Sequence, residues 1–156
     1  MTSNSSIILY HGTNVIVRHH EIRIAGYNKD FGFGFYCTRF ERQAQRWALT
    51  KPQKHIVCKF VYTPDETLNI KTFDTMTDEW LDFVAACRHG ESHPYDIVDG
   101  PMADDEVWDY VEDFLSGRIS REAFWALARF KHPTHQILFC TDRAIKTIEF
   151  DSYYEL

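Results

Sequence analysis

The apolar positions of this chain change period several times, and each change marks an element. Ile7-Ile8-Leu9-Tyr10 is an unbroken apolar run that predicts a buried strand ending in a turn at His11-Gly12. Residues 15–23 read as extended and residues 26–34 as a loop containing glycines and aromatics. A second strand is expected over 33–38. A helix follows over 41–49, with Phe40, Ala44, Trp47 and Ala48 on one face and Pro52 closing it. Residues 55–62 alternate, which puts Ile56, Cys58, Phe60 and Tyr62 on one side of a strand.

A short strand over 67–71 comes next, then an amphipathic helix over 77–88. Thr77 caps this helix, Asp78 and Glu79 suit its first turn, and Trp80, Phe83, Val84 and Cys87 form its stripe. Residues 95–98 predict another strand. A helix over 104–115 turns Val107, Tyr110, Val111 and Phe114 inward and stops at Gly117. Ser120 caps a helix reaching Ala128, and Pro133 breaks the chain. Residues 136–140 and 145–150 read as two final strands around a tight turn. Residues 1–6 read as a disordered lead-in to a single domain over 7–156. The pattern is that of an α+β fold with short strands at both ends and helices between them.

Composition sharpens this picture. Of the 156 residues, 44% are hydrophobic, enough for a real core, and the net charge of -6 argues against a general nucleic-acid binder. The charge is uneven. Residues 1–59 hold nine Lys/Arg against three Asp/Glu, whereas residues 60–156 hold eight against twenty. A basic first half suits either an anionic ligand such as a pyrophosphate or internal pairing with the acidic half. Within it, Arg39, Arg42, Arg46, Lys51 and Lys54 either form the outer face of a helix or steer an anion into a cleft. The four cysteines form no C-x-x-C pair. Cys37, Cys58 and Cys140 lie in apolar runs, as expected of free thiols in a reducing, cytoplasmic setting. No signal peptide or membrane span is expected, because no apolar run approaches ~18–20 residues. No metal site is expected either: His89 and His93 are spaced like half a zinc finger, but no cysteine pair precedes them.

The chemistry concentrates in a few segments. Tyr10-His11-Gly12-Thr13 and Gly32-Phe33-Gly34-Phe35-Tyr36-Cys37, with Trp47 eleven residues after Tyr36, suit a pocket for a flat ring. Aromatic faces orient such a ring by stacking. A glycine lets backbone N–H and C=O groups reach a carboxamide. Tyr36 and Trp47 also fit the plainer role of core aromatics.

These segments, together with Ala44, Trp47 and His135-Gln136-Ile137-Leu138-Phe139, resemble the ADP-ribosyltransferase superfamily, in its diphtheria-toxin and poly(ADP-ribose) polymerase branch with a His-Tyr-Glu signature. The chain is similar to an uncharacterised group of small bacterial proteins in that superfamily, some linked to toxin–antitoxin or phage-defence systems. The resemblance implies a split, mixed β-sheet core and NAD as co-substrate. It implies His11, Tyr36 and Gln136 as catalytic positions. His11, Gly12, Thr13, Tyr36 and Trp47 would hold the dinucleotide.

Gln136 stands where the signature has Glu. Glutamine can orient a ribose but cannot ionise or act as a base. Asp104 and Asp105 are the candidate auxiliary carboxylates, although both also suit the capping of a helix. The expected activity is mono-ADP-ribosylation of a macromolecular acceptor, protein or nucleic acid, with a neutralising antitoxin as a partner. The alternatives are NAD hydrolysis and a non-catalytic NAD- or ADP-ribose-binding module. A third is an adaptor domain that binds no nucleotide.

Overall fold

The computed structural model describes residues 5–18, 31–32, 34–103, 105–128 and 134–156. Among the described residues, seven strands form two sheets. β1 (Ile7–Thr13), β3 (Ile56–Tyr62) and β7 (Ile148–Glu155) make an antiparallel sheet in the order β1-β3-β7. β2 (Phe35–Cys37), β6 (Gln136–Phe139), β5 (Ile97–Gly100) and β4 (Ile70–Thr72) make a second sheet in the order β2-β6-β5-β4. It is mixed, because β4 and β5 run parallel and the other pairs antiparallel.

The sheets face each other across one core. Leu9, Cys58, Phe60 and Ile148 from the first meet Phe35, Cys37, Ile137 and Phe139 from the second. The predicted alternation of β3 holds, since Ile56, Cys58, Phe60 and Tyr62 all enter this core. Each sheet is covered on its outer face. Ala44 and Ala48 of α1 (Glu41–Leu49) lie on Val57 and Tyr10. α2 (Asp78–Arg88), α3 (Asp105–Leu115) and α4 (Arg121–Ala128) bury Trp80, Val84, Val107, Val111 and Phe124 against Val98 and Leu138. The result is four layers, helix on sheet on sheet on helices. The α+β class expected from the sequence is what forms.

Local signals explain the helices. Thr77 accepts the Trp80 N–H at 3.2 Å and Ser120 accepts the Ala123 N–H at 3.1 Å, each satisfying a donor that the helix start leaves unpaired. α1 spans the predicted residues, with a buried stripe of Gln43, Ala44 and Ala48.

Several sequence expectations are corrected. His11 and Gly12 do not turn: β1 continues to Thr13 because both residues stay in register with Cys58 and Val57 of β3. Residues 14–18 bend rather than extend, and residues 19–23 of that expected stretch lie outside the described residues. The last two strands do not form a hairpin. Thr141 caps a short helix, α5 (Asp142–Ile145), between them, and β6 and β7 belong to different sheets. Ser6, placed in the lead-in, shares a hydrogen bond with Thr63 at 3.1 Å. All four cysteines are free. No helix among the described residues is long and apolar enough to cross a membrane.

Candidate functional site

Among the described residues, one backbone bridge joins the two sheets, and the site opens beyond it. Tyr10 donates to the Thr38 carbonyl at 2.8 Å and accepts from the Thr38 N–H at 2.9 Å. Residues two apart in a strand aim their backbone groups to the same side. Gly12 therefore aims its N–H and C=O away from β3, into the gap beyond Thr38.

A cavity of about 250 Å³ occupies that gap. It is lined by His11 and Gly12 of β1, Tyr36 of β2, Trp47 at the end of α1, and Gln136 at the start of β6. Thr50 and Lys51 form its exposed rim, while Met102, Ala103 and Trp108 close the far side. The volume falls just below the ~300–1,000 Å³ of typical small-molecule sites, so it suits part of a dinucleotide rather than the whole.

Each lining residue is held by its neighbours. Gly12 lies directly under α1: a Cβ there would sit 2.1 Å from the Ala44 carbonyl oxygen and 2.8 Å from the Ala48 nitrogen. Only glycine lets the helix carrying Trp47 come this close. Gly34 is likewise required, since its Cβ would fall 2.4 Å from the Phe139 carbonyl oxygen.

The His11 ring stacks on Phe35 at 4.6 Å, and its Nδ1 lies 2.7 Å from the Tyr36 carbonyl oxygen. A carbonyl only accepts, so Nδ1 carries the proton. In the neutral ring Nε2 is then an acceptor, suited to a hydroxyl donor. The Tyr36 hydroxyl donates to the Gly32 carbonyl at 2.8 Å and accepts the Phe31 N–H at 3.2 Å. This fixes the phenol at one end and leaves its ring to line the cavity.

Gln136 is buried in the floor and pairs in register with Gly100. The residue before it, His135, is clamped. Gln43 of α1 donates to its carbonyl and accepts its N–H at 3.0 Å. The His135 ring accepts the Arg39 N–H at Nδ1 (3.0 Å), so Nε2 carries the proton and donates to Asp99 at 2.7 Å. Asp99 also pairs with Arg39 at 2.9 Å. One polar group thus ties α1, β5 and the entry to β6 together beneath the site. On the far side, Trp80 donates to the Pro101 carbonyl at 2.8 Å, and Thr134 bonds Met102 N–H and C=O at 3.1 and 2.8 Å, pinning the loop that carries Met102 and Ala103.

The cavity therefore brings together five residues singled out in the sequence: His11, Gly12, Tyr36, Trp47 and Gln136. Thr13 is not among its lining residues; it is buried, and its hydroxyl accepts the Val15 N–H at 3.2 Å. Asp104 lies outside the described residues, and Asp105 is described only as the first residue of α3. Among the described lining residues there is no carboxylate. Cys37, next to Tyr36, offers no nucleophile: burial, reinforced by Cys58, pushes its thiol well above the ordinary range. Arg39 serves the Asp99 pair, and Lys51 alone of the basic run lines the cavity.

Sequence reasoning missed Trp108 and the Gln43–His135–Asp99 support. Trp108 carried one signal, a large aromatic beside the inward stripe of an otherwise acidic helix.

The family model described as "Protein of unknown function (DUF3990)" matches residues 7–150. Neither the curated proteins nor the solved structures give a match.

Proposed function

The chain belongs to the DUF3990 family, and from that premise we propose that it is an NAD-dependent mono-ADP-ribosyltransferase acting on a macromolecular acceptor. One observation carries the reading: His11, Gly12, Tyr36, Trp47 and Gln136, drawn from four separate elements, line a single cavity. The reading takes the two packed sheets as a split core of the ADP-ribosyltransferase kind, with the cleft between β1 and β2 as the nicotinamide end.

In this reading the nicotinamide ring lies against Tyr36 and Trp47. The Gly12 N–H and C=O meet the carboxamide oxygen and NH₂. His11 Nε2 accepts from a hydroxyl of the adenosine-side ribose, and Gln136 hydrogen-bonds the ribose that loses nicotinamide. The bond from ribose C1′ to the ring nitrogen breaks, and its electron pair leaves with neutral nicotinamide. The oxocarbenium-like carbon then takes a lone pair from the acceptor, whose proton passes to solvent. With no carboxylate among the described lining residues, the step is dissociative and suits an acceptor nucleophile that needs no strong base.

The test is incubation with labelled NAD and cell lysate. Nicotinamide release together with a labelled macromolecule is expected; neither appearing overturns the proposal. A second reading, a non-catalytic NAD- or ADP-ribose-binding module, is favoured by Gln136 in place of an ionisable residue. Tight NAD binding by calorimetry without nicotinamide release would select it.

A further inference from the structure

We propose that the outer face of α1 and the turn after it, residues 42–54, is a docking surface for a single-stranded nucleic acid, which it leads to the mouth of the cavity as the acceptor. The docking surface stands on charge and geometry; the strand's role as acceptor rests on the NAD reading.

The uneven charge of the chain has two explanations, pairing between the halves or an anionic ligand, and the ion pairs decide between them. The described cations of the acidic half's helices and of β4 are paired: Lys71 with Glu79, Arg88 with Glu112, and Arg121 with Asp78 and Asp82. In the basic half, Arg39 reaches across to Asp99. Arg42, Arg46, Lys51 and Lys54 make no ion pair among the described residues, and all four are exposed. Glu41, the one acid in residues 41–54, accepts the Tyr154 hydroxyl at 2.9 Å.

The four layers keep these cations away from the acids. α1 lies on the outer face of the first sheet, and α2, α3 and α4, with nine Asp/Glu against two Arg, lie on the outer face of the second. Sheets stack ~10 Å apart and a helix layer adds about as much on each side, so the two helix layers stand roughly 30 Å apart. That is several Debye lengths at physiological salt, and the net charge of the chain therefore does not cancel the local field over α1. β7, which carries Glu149, Asp151 and Glu155, lies two strands away from β1, where the cavity opens.

The cations form a track with a direction. Arg42, Arg46 and Thr50 are successive members of one i, i+4 row, and Thr50, the helical C-cap of α1, lines the cavity beside Lys51. The row runs about 12 Å, at ~1.5 Å per residue, and ends at the cavity mouth. Local helix physics does not favour this placement. Arg42 sits in the first turn, where the macrodipole disfavours a cation, and Arg46 repels it from one turn away. Guanidinium forks at regular spacing match phosphate oxygens, which a nucleic-acid strand repeats by construction and a protein surface does not. Phe40 at the start of α1 and Leu49 at its end are 45% and 58% exposed. Unpaired bases can cover that apolar surface; a duplex turns its bases inward and cannot.

The test is fluorescence anisotropy with end-labelled oligouridylate and oligothymidylate of about ten nucleotides, read over roughly 50–200 mM salt. Arg42→Gln/Arg46→Gln/Lys54→Gln removes three cations and alters no residue that lines the cavity. Wild type is expected to bind, and the triple variant to bind roughly 10- to 100-fold more weakly at low salt, with a log–log salt slope shallower by about 2 at ~0.7 per phosphate contact. Its Tm and its NAD affinity should equal those of wild type, and Arg42→Lys/Arg46→Lys should keep the slope. A preference between the two strands assigns the sugar as ribose or deoxyribose.

No strand binding by wild type at low salt, or equal binding by wild type and the glutamine variant, overturns the proposal. Polyglutamate bound as tightly as the strand assigns the face to an acidic protein and overturns it as well, and so does a duplex bound more tightly than the strand. Labelled NAD separates this proposal from the reading it extends. Label on the bound strand supports both. Nicotinamide release with label on protein alone overturns the acceptor role. If NAD is neither bound nor split, the NAD reading fails, and the docking surface stands or falls on the anisotropy.

Discussion

Gln43 brackets His135: its amide nitrogen donates to the His135 carbonyl, and its amide oxygen accepts the His135 N–H at 3.0 Å. The two residues are 92 positions apart, and both are buried. The side chain thereby does for β6 what a neighbouring strand would do, and it fixes the residue immediately before Gln136 relative to the helix that carries Trp47.

Gln43→Leu keeps the volume but leaves both backbone groups of His135 unpaired in the core. A loss of roughly 2–4 kcal/mol is expected in urea denaturation. Nicotinamide release should fall as well, because Gln136 loses its anchor; wild-type release in a properly destabilised variant would separate the clamp from the site.

Gly12→Ala should be severe for so small a change. The added carbon meets the Ala44 carbonyl oxygen at 2.1 Å and the Ala48 nitrogen at 2.8 Å, both backbone atoms of α1 that cannot swing away. The expected cost is about 3 kcal/mol, seen as a fall in Tm of roughly 6–12 °C for a chain of this size.

Substituting His11 in two ways separates its two nitrogens. Asparagine can still donate to the Tyr36 carbonyl, as Nδ1 does now at 2.7 Å, but has nothing in the place of Nε2. His11→Asn should therefore fold normally by circular dichroism while its NAD affinity drops roughly tenfold or more. Unchanged affinity would show that His11 serves only the β1–β2 contact.

Asp96 makes stability depend on pH. The Thr141 hydroxyl at 2.7 Å and then the Asn69 N–H at 2.9 Å hold its carboxyl below the usual carboxylate range. The folded form is the weaker acid binder of protons, so this contribution is complete above about pH 4 and is lost as pH falls through the lowered folded value. Asp96→Asn should destabilise the protein at neutral pH by roughly 1.5–3 kcal/mol. The gap between variant and wild type should close in acid, which a urea series from neutral pH down to the acid limb would measure.

Thiol reactivity gives a check on the core. Burial pushes the Cys140 thiol up to about 12, and complete burial pushes the Cys37 thiol well above the ordinary range. Both should resist iodoacetamide at pH 8 in the folded protein and react on unfolding, as followed by mass spectrometry. Rapid native labelling of Cys37 would place it at the surface.

The legible parts of this protein are those written in neighbouring residues. α1 and α2 were readable because an apolar stripe, a capping Thr77 and a first-turn acid all lie within a few positions. Strand ends were less so. The His11-Gly12 pair reads locally as a turn, and only pairing with Cys58 and Val57, more than forty residues away, keeps it extended. The hairpin expected at the C-terminal end failed for the same reason: Thr141 starts a helix there, and β7 finds its partner in β3 rather than in β6.

By itself the sequence determined which residues are strand and helix formers, and it singled out His11, Gly12, Tyr36, Trp47 and Gln136 by type and order. Tertiary structure alone decided that these five face one cavity, that Thr13 does not, and that Trp108 and Lys51 complete it. The physical reason is range. Propensity, capping and periodicity act within a turn or two of chain, whereas a cavity is the space left when β1, β2, β6 and two helices pack. Its walls are set by contacts such as Gly12 on Ala44 and Gln43 on His135, which no local pattern records.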